Sequence, residues 1–174
     1  MLDLLYQRRS IRRYLPTPIE EEKVQTLTKA ALLAPSGRGV ESQKFIVVND
    51  KNLVTKLAQT RESGSAFLQN APLVFVVLGD SKVTDVWVED AALAATIIQL
   101  TAHSLGLGSC WVQIRNRQHN SEKTAEEYVQ ELLNIPKHLK VACMLGIGYP
   151  AENKEARTDN DLDFSRVHRN TYKI

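Results

Sequence analysis

The chain has 174 residues, 43% of them hydrophobic and 24% charged, the balance of an ordinary globular protein rather than of a disordered segment. Lysine and arginine total 22 against 20 acids, a formal net charge of +2, so no nucleic-acid partner is expected and any bound anion must be held by local clustering. No stretch reaches the roughly 20 apolar residues that span a bilayer, and the start, MLDLLYQRRS, lacks the basic-then-apolar build of an export signal, so a cytoplasmic protein without a membrane partner is expected.

The length suits one domain over 1–174, with a polar C-terminal arm from about 151 to 174. Arg8 to Arg13 stand near a helix end. Thr17-Pro18-Ile19-Glu20 then spells a helix start: a capping threonine, proline at the first helical position, and a glutamate closing the capping box. Apolar residues at helical spacing follow up to Pro35. Phe45 to Val48 is short, β-branched and bounded by Asn49-Asp50, which predicts a buried strand. A helix capped by Asp50 should come next, with Leu53, Val54 and Leu57 facing inward.

Leu73 to Leu78, introduced by Pro72 and stopped by Gly79, predicts a strand buried on both faces. From Val88 to Leu105 an alanine-rich helix runs to the glycines of Leu105-Gly106-Leu107-Gly108, and its small side chains would let other backbones come close, as suits a central helix. Ser109 to Ile114 and Val141 to Ile147 are two more strands. Between them Thr124 and Glu127 repeat the capping-box spacing before a helix ended by Pro136. Helices and strands thus alternate, which favours an α/β or α+β sheet covered by helices. In the arm, Phe164, Val167 and Tyr172 should dock on a body, the chain's own or a partner's.

Cys110 and Cys143 lie in apolar segments without metal or redox spacing and read as small buried hydrophobes. A disulfide would be geometrically open if their strands were neighbours, but a reducing compartment argues against it. His103, His119, His138 and His168 are scattered, so no metal site is expected. Trp87 and Trp111 read as core or interface residues.

Four arginines and a hydroxyl fall within Arg8-Arg9-Ser10-Ile11-Arg12-Arg13. Guanidinium groups grip phosphate through paired, charge-assisted hydrogen bonds, although a solvated basic face would look the same. Ala34-Pro35-Ser36-Gly37-Arg38-Gly39 is a glycine-containing loop that could expose backbone N–H groups to a planar ligand, or could be a plain connection. Gly106-Leu107-Gly108 reads first as a helix stop, and Glu89 and Asp90 as acids that complement the helix dipole.

Taken in order, Arg8 to Tyr14, Ala34 to Gly39, Phe67-Leu68-Gln69-Asn70-Ala71-Pro72, Trp87-Val88-Glu89-Asp90-Ala91-Ala92, Gly106 to Trp111 and Leu145-Gly146-Ile147-Gly148-Tyr149-Pro150 resemble the nitroreductase family over nearly the whole chain. The resemblance implies an α+β fold with a central, mainly antiparallel sheet flanked by helices, and a homodimer with FMN at the interface. It places Arg8, Arg9 and Ser10 on the FMN phosphate and Arg12 at the pyrimidine edge of the flavin. It further places Pro35, Ser36, Arg38 and Gly39 against the ring from the second subunit, and Val112 and Gln113 beside it, with a backbone N–H near Gln113 toward flavin N5. Arg166, or else Arg169, would complete the phosphate site from the arm. Gly39, Glu41, Ser42 and Gln43 depart from the amide and proline-tryptophan pattern of many relatives.

The implied activity passes hydride from NADH or NADPH through flavin N5 to an electron-poor small-molecule acceptor, a nitroaromatic, quinone or similar. No catalytic side chain is then required, because the flavin carries the redox chemistry and the protein places it. The competing readings are the same fold with other flavin chemistry, such as dehalogenation or flavin fragmentation, and a flavin-binding protein that catalyses nothing.

Overall fold

The computed structural model describes residues 1–172. The elements are α1 (Leu2–Gln7), α2 (Glu21–Leu32), β1 (Gln43–Val48), α3 (Lys51–Leu57), β2 (Leu73–Asp80), α4 (Trp87–Ser104), β3 (Gly108–Gln113), α5 (Ala125–Leu132) and β4 (Leu139–Gly148). The four strands form one sheet in the order β1-β2-β4-β3, and every neighbouring pair is antiparallel. Helices cover both faces, so the architecture is α+β.

Alternation of side chains along the strands sorts the core into two layers. Val74, Val76, Leu78, Val112 and Met144 face Val54 and Leu57 of α3 and Ala125 and Val129 of α5. On the other face, Leu73, Phe75, Val77, Leu145 and Ile147 meet Leu27 and Ala31 of α2 and Ala91, Ala95, Ile98 and Ala102 of α4. This explains the unbroken apolar run of β2, which is buried on both faces. Ala91, Ala94, Ala95 and Ala102 of α4 are fully buried and let it lie close under the sheet. That helix ends in a Schellman arrangement, with Gly106 at φ 76° and Leu107 N–H donating to Ala102 O at 2.9 Å.

Three expectations need correction. The first is α2, which begins at Glu21 rather than at the Thr17 box; Glu20 is extended, and its carboxylate accepts from the Tyr149 hydroxyl at 2.6 and 2.8 Å instead of returning to Thr17. The second is β1, an edge strand only partly covered, with Lys44 and Val47 exposed. The third is α5, which stops at Leu132, before Pro136, because Asn134 turns left-handed at φ 54°. The Thr124–Glu127 capping box and the Asp50 cap are both formed.

Cys110 and Cys143 are free and buried. Their strands are neighbours, but Cys110 is opposite Gly146 and Cys143 opposite Gln113, which puts the two thiols on opposite faces of the sheet. The arm folds back along α1: Arg157 N–H donates to Tyr6 O at 2.9 Å, and the Tyr6 hydroxyl bonds to Asp159. Phe164, Val167 and Tyr172 are 69%, 71% and 79% exposed, so they do not dock on their own chain. Among the described residues no helix is long and apolar enough to cross a membrane.

Candidate functional site

The arginine segment leaves α1 in extended conformation and is laid along the first residues of β3. Ser10 bridges Ser109, and Ile11 N–H donates to Ser109 O at 3.0 Å. Gly108 is what lets the segment this close: a Cβ there would meet Ile11 Cβ at 2.7 Å. The buried Tyr14 hydroxyl lies 2.6 Å from Ile11 O and 2.9 Å from Gly146 O, tying the far end of the segment to β4.

Antiparallel pairing makes backbone groups point alternately toward and away from the partner strand. Since Ser109 O accepts from Ile11 on the side away from β4, the backbone groups of Trp111 and Gln113 also point to that outer edge, and those of Cys110 and Val112 point to β4. Gln113 O accepts from the Arg61 guanidinium at 3.4 Å, in agreement with this alternation. Val112, with its side chain in the core, can therefore offer a ligand little beyond contact. The edge carries cations at both ends: Arg8 and Arg12 near Cys110, and Arg61 at Gln113. Trp111 Nε1 donates to Gln113 Oε1 at 2.9 Å, and Gln113 Nε2 to Arg115 O at 2.9 Å, which orders the side chains beside the open N–H groups.

The charge cluster is visible in the Cys110 thiol. Burial pushes it up, while Arg12, a hydrogen bond with Ser10, Lys154 and Arg8 pull it back in that order. Lys154 was not anticipated from the sequence. Its Nζ donates to Ser10 O at 2.7 Å, so the arm supplies a third cation to the cluster. Glu152 sits beside Lys154, its Oε1 3.8 Å from the Lys154 Nζ, and accepts from the N–H groups of Arg12 at 2.6 Å and Arg13 at 3.2 Å, which holds its carboxyl below the usual range. The Arg9 guanidinium is turned to Glu155 O. Arg166 and Arg169 are exposed, and among the described residues they bond through their backbones to near neighbours.

Pro35, Ser36, Arg38 and Gly39 are not brought to this cluster within one chain. Their loop is held at the first turn of α4, where Asp90, 2% exposed, accepts from Gly37 N–H at 2.8 Å and from the Ser42 hydroxyl at 2.7 Å. Asp90 is thus a buried tether and not merely a dipole acid. The arginine segment docks on Ser109, which pairs with Gln99 farther along the same helix, about 14 Å away at 1.5 Å per residue. Gln43 donates to Ala34 O at 3.2 Å, and its buried Oε1 has no partner among the described residues.

A cavity of about 570 Å3 lies elsewhere, between the 16–24 segment and the start of β2, and is lined by none of the predicted site residues. The donor set, by contrast, fits a phosphorylated planar ligand: guanidinium and ammonium groups at one end of a strand edge, open backbone donors along it, and a further guanidinium at the other end. Among the described residues no group of His, Cys, Asp and Glu could hold a metal ion.

The chain is 34% identical over 173 residues, 97% of its length and 96% of the relative's, to a protein of Archaeoglobus fulgidus named NADH dehydrogenase/NAD(P)H nitroreductase. Its fold superposes with a TM-score of 0.98 and 47% identity on an FMN-dependent nitroreductase from Clostridium difficile R20291, covering 99% of this chain and 100% of that one. A Vibrio harveyi NADPH:FMN oxidoreductase complexed with NAD+ superposes at 0.85 with 25% identity, covering 99% of this chain and 78% of that one. The family model described as "Nitroreductase family" matches residues 5–62 and 56–149, and the chain belongs to that family.

Proposed function

We propose that the protein is an FMN-dependent oxidoreductase that takes hydride from NADH or NADPH and delivers it to an electron-poor organic acceptor, a nitroaromatic, a quinone or a related conjugated compound. The observation that carries the reading is the arginine segment bonded to the outer edge of β3, which sets a cluster of cations beside outward backbone N–H groups that have no partner among the described residues. Support for the cofactor comes from the names of the relatives, an FMN-dependent nitroreductase and an NADPH:FMN oxidoreductase.

Arg8, Arg12 and Lys154 would hold the phosphate, with Ser10 donating to it. The outward N–H groups of Trp111 and Gln113 would orient the ring, and Arg61 would stabilise negative charge at its far edge. FMN held there would supply the hydride-transfer chemistry, so this chain needs no general base. The loop 35–39 would reach the ring from a second copy, which makes a homodimer part of the proposal; Arg166 and Arg169 remain in it only as groups a second copy would contribute. The domain is read as 1–174 with the arm from about 151, in the cytoplasm.

Anaerobic stopped-flow absorbance tests the reading. FMN-loaded protein mixed with excess NADH or NADPH should lose the visible absorption of its oxidised flavin and recover it on addition of 1,4-benzoquinone. A flavin that stays oxidised with both nucleotides would refute it.

A further inference from the structure

We infer that Asp90 is a positioning residue for hydride donor and acceptor: its buried carboxylate fixes the 36–42 loop in the shape that closes one side of the open flavin face in a second copy. The inference rests on the oxidoreductase reading above and deepens it.

Asp90 is 2% exposed. Among the described residues it makes no ion pair. A buried carboxylate in that position is tolerated only when its oxygens are filled by hydrogen bonds, and both are: Oδ1 accepts from Gly37 N–H and Oδ2 from the Ser42 hydroxyl. The two bonds bracket the segment in which Arg38, Gly39 and Glu41 all adopt left-handed conformation, at φ 53°, 68° and 49°. Arginine and glutamate reach that region at a cost, and such geometry persists where surrounding bonds over-determine it, commonly at ligand-clamping loops. The seat is tight, since a Cβ on Gly37 would meet Val86 Cγ2 at 2.7 Å.

A connection between α2 and β1 does not require strained residues around a buried anion. What the arrangement achieves is a fixed outward rim. Pro35, Arg38, Gly39 and Val40 are exposed on it. Gly39 N–H and Val40 N–H are spent inside the loop on Ser36 O and Gly37 O, and Glu41 N–H on Ser36 Oγ. Among the described residues the Asp90 carboxylate hydrogen-bonds to Gly37 and Ser42 and to nothing in the arginine segment or β3. Its removal should therefore leave the cations at β3 in place and act chiefly on how nicotinamide and acceptor are seated.

The test compares FMN-loaded wild-type, Asp90→Ala, Asp90→Asn and Ser42→Ala proteins by anaerobic stopped-flow with NADH, together with FMN titration of each apoprotein. In Asp90→Ala, which loses both bonds, the NADH concentration for half-maximal reduction should rise about tenfold or more, part of the loss being absorbed by relaxation of the loop. The limiting reduction rate should stay within about threefold, and the FMN Kd should rise by less than the NADH constant, because the cations at β3 that would hold the phosphate are untouched even though the loop would also reach the ring. Asparagine can accept from Gly37 and donate to Ser42, so Asp90→Asn should largely restore the wild-type constant, and Ser42→Ala, which removes one of the two bonds, should fall between. Variants with a lowered melting temperature but an unchanged NADH constant overturn the inference, as does an FMN Kd that rises in step with it. If Asp90→Ala does not fold, Ser42→Ala decides by the same criterion. A wild-type protein that NADH cannot reduce overturns the oxidoreductase reading and takes the inference with it, an outcome distinct from variants that match a reducible wild type.

Discussion

Replacing Gly108 by alanine should force the arginine segment off β3. The added Cβ would lie 2.7 Å from Ile11 Cβ, 2.8 Å from Cγ2 and 2.9 Å from Cγ1, where ordinary contact begins at 3.4 Å. The closest of these atoms is fixed to the backbone, so rotating the side chain cannot relieve it; the segment itself must retreat by about half an ångström or more. A retreat of that size takes the Ile11 N–H to Ser109 O bond from 3.0 Å to the limit of a useful hydrogen bond, a loss of about 1 kcal/mol. Overpacking of a close contact adds about 1–3 kcal/mol. The total of about 2–4 kcal/mol corresponds to a melting temperature lower by roughly 4–16 °C at this chain length. FMN affinity should fall as well, because Arg8 and Arg12 flank the displaced residue. Gly106→Ala is the control: it has open space and φ +76°, so it should cost only about 1 kcal/mol of backbone strain and leave FMN affinity unchanged. Thermal melting and fluorescence titration of the apoproteins with FMN would measure both. A Gly108→Ala protein with wild-type melting and wild-type Kd would refute the steric reasoning and the docking it describes.

Two further outcomes are expected. Lys154→Ala removes the arm's cation from Ser10, so the FMN Kd should rise about tenfold at low salt, with a smaller effect at high salt; an unchanged low-salt Kd would exclude Lys154 from the phosphate grip. The Glu152 carboxyl is held low first by the Arg12 N–H, so its contribution to stability is present above the ordinary glutamate value of about 4.3 and is lost as pH falls through the lower folded value. Wild-type melting temperature should therefore drop faster than that of Glu152→Gln over this acidic range, and parallel curves would sink the assignment.

Elements whose signals are local were legible in the sequence. The Thr124–Glu127 box, the Asp50 cap, the doubly buried β2 and the glycine stop of α4 each depend on residues within a few positions of one another. The same spelling at Thr17 misled because Glu20 is captured by Tyr149, a residue 129 positions away, and no local rule sees such competition. β1 looked fully buried because its apolar run is that of an inner strand, yet sheet order puts it at an edge. The arginine segment was found as a candidate, but its seat on Ser109 was not. Lys154 was not anticipated, because distance along the arm does not reveal which of its cations folds back onto Ser10. Asp90 had a sufficient local explanation as a helix-dipole acid, which concealed its reach to Gly37 and Ser42.

The arrangement at β3 also follows from the demands of a sheet edge. A strand with one unpaired side presents N–H and C=O groups that invite another chain, and proteins cover or interrupt such edges. Here the arginine segment covers the Ser109 end, and Arg61 takes the carbonyl of Gln113, the acceptor nearest the other end. Between them the Trp111 and Gln113 donors face outward. An arginine or lysine cannot satisfy an N–H group, since neither carries an acceptor. What completes this edge must bring acceptors spaced along the strand and a negative charge for the Arg8, Arg12 and Lys154 end. A phosphorylated heteroaromatic ring would meet both conditions, so the cofactor site proposed above would also complete the exposed edge of β3.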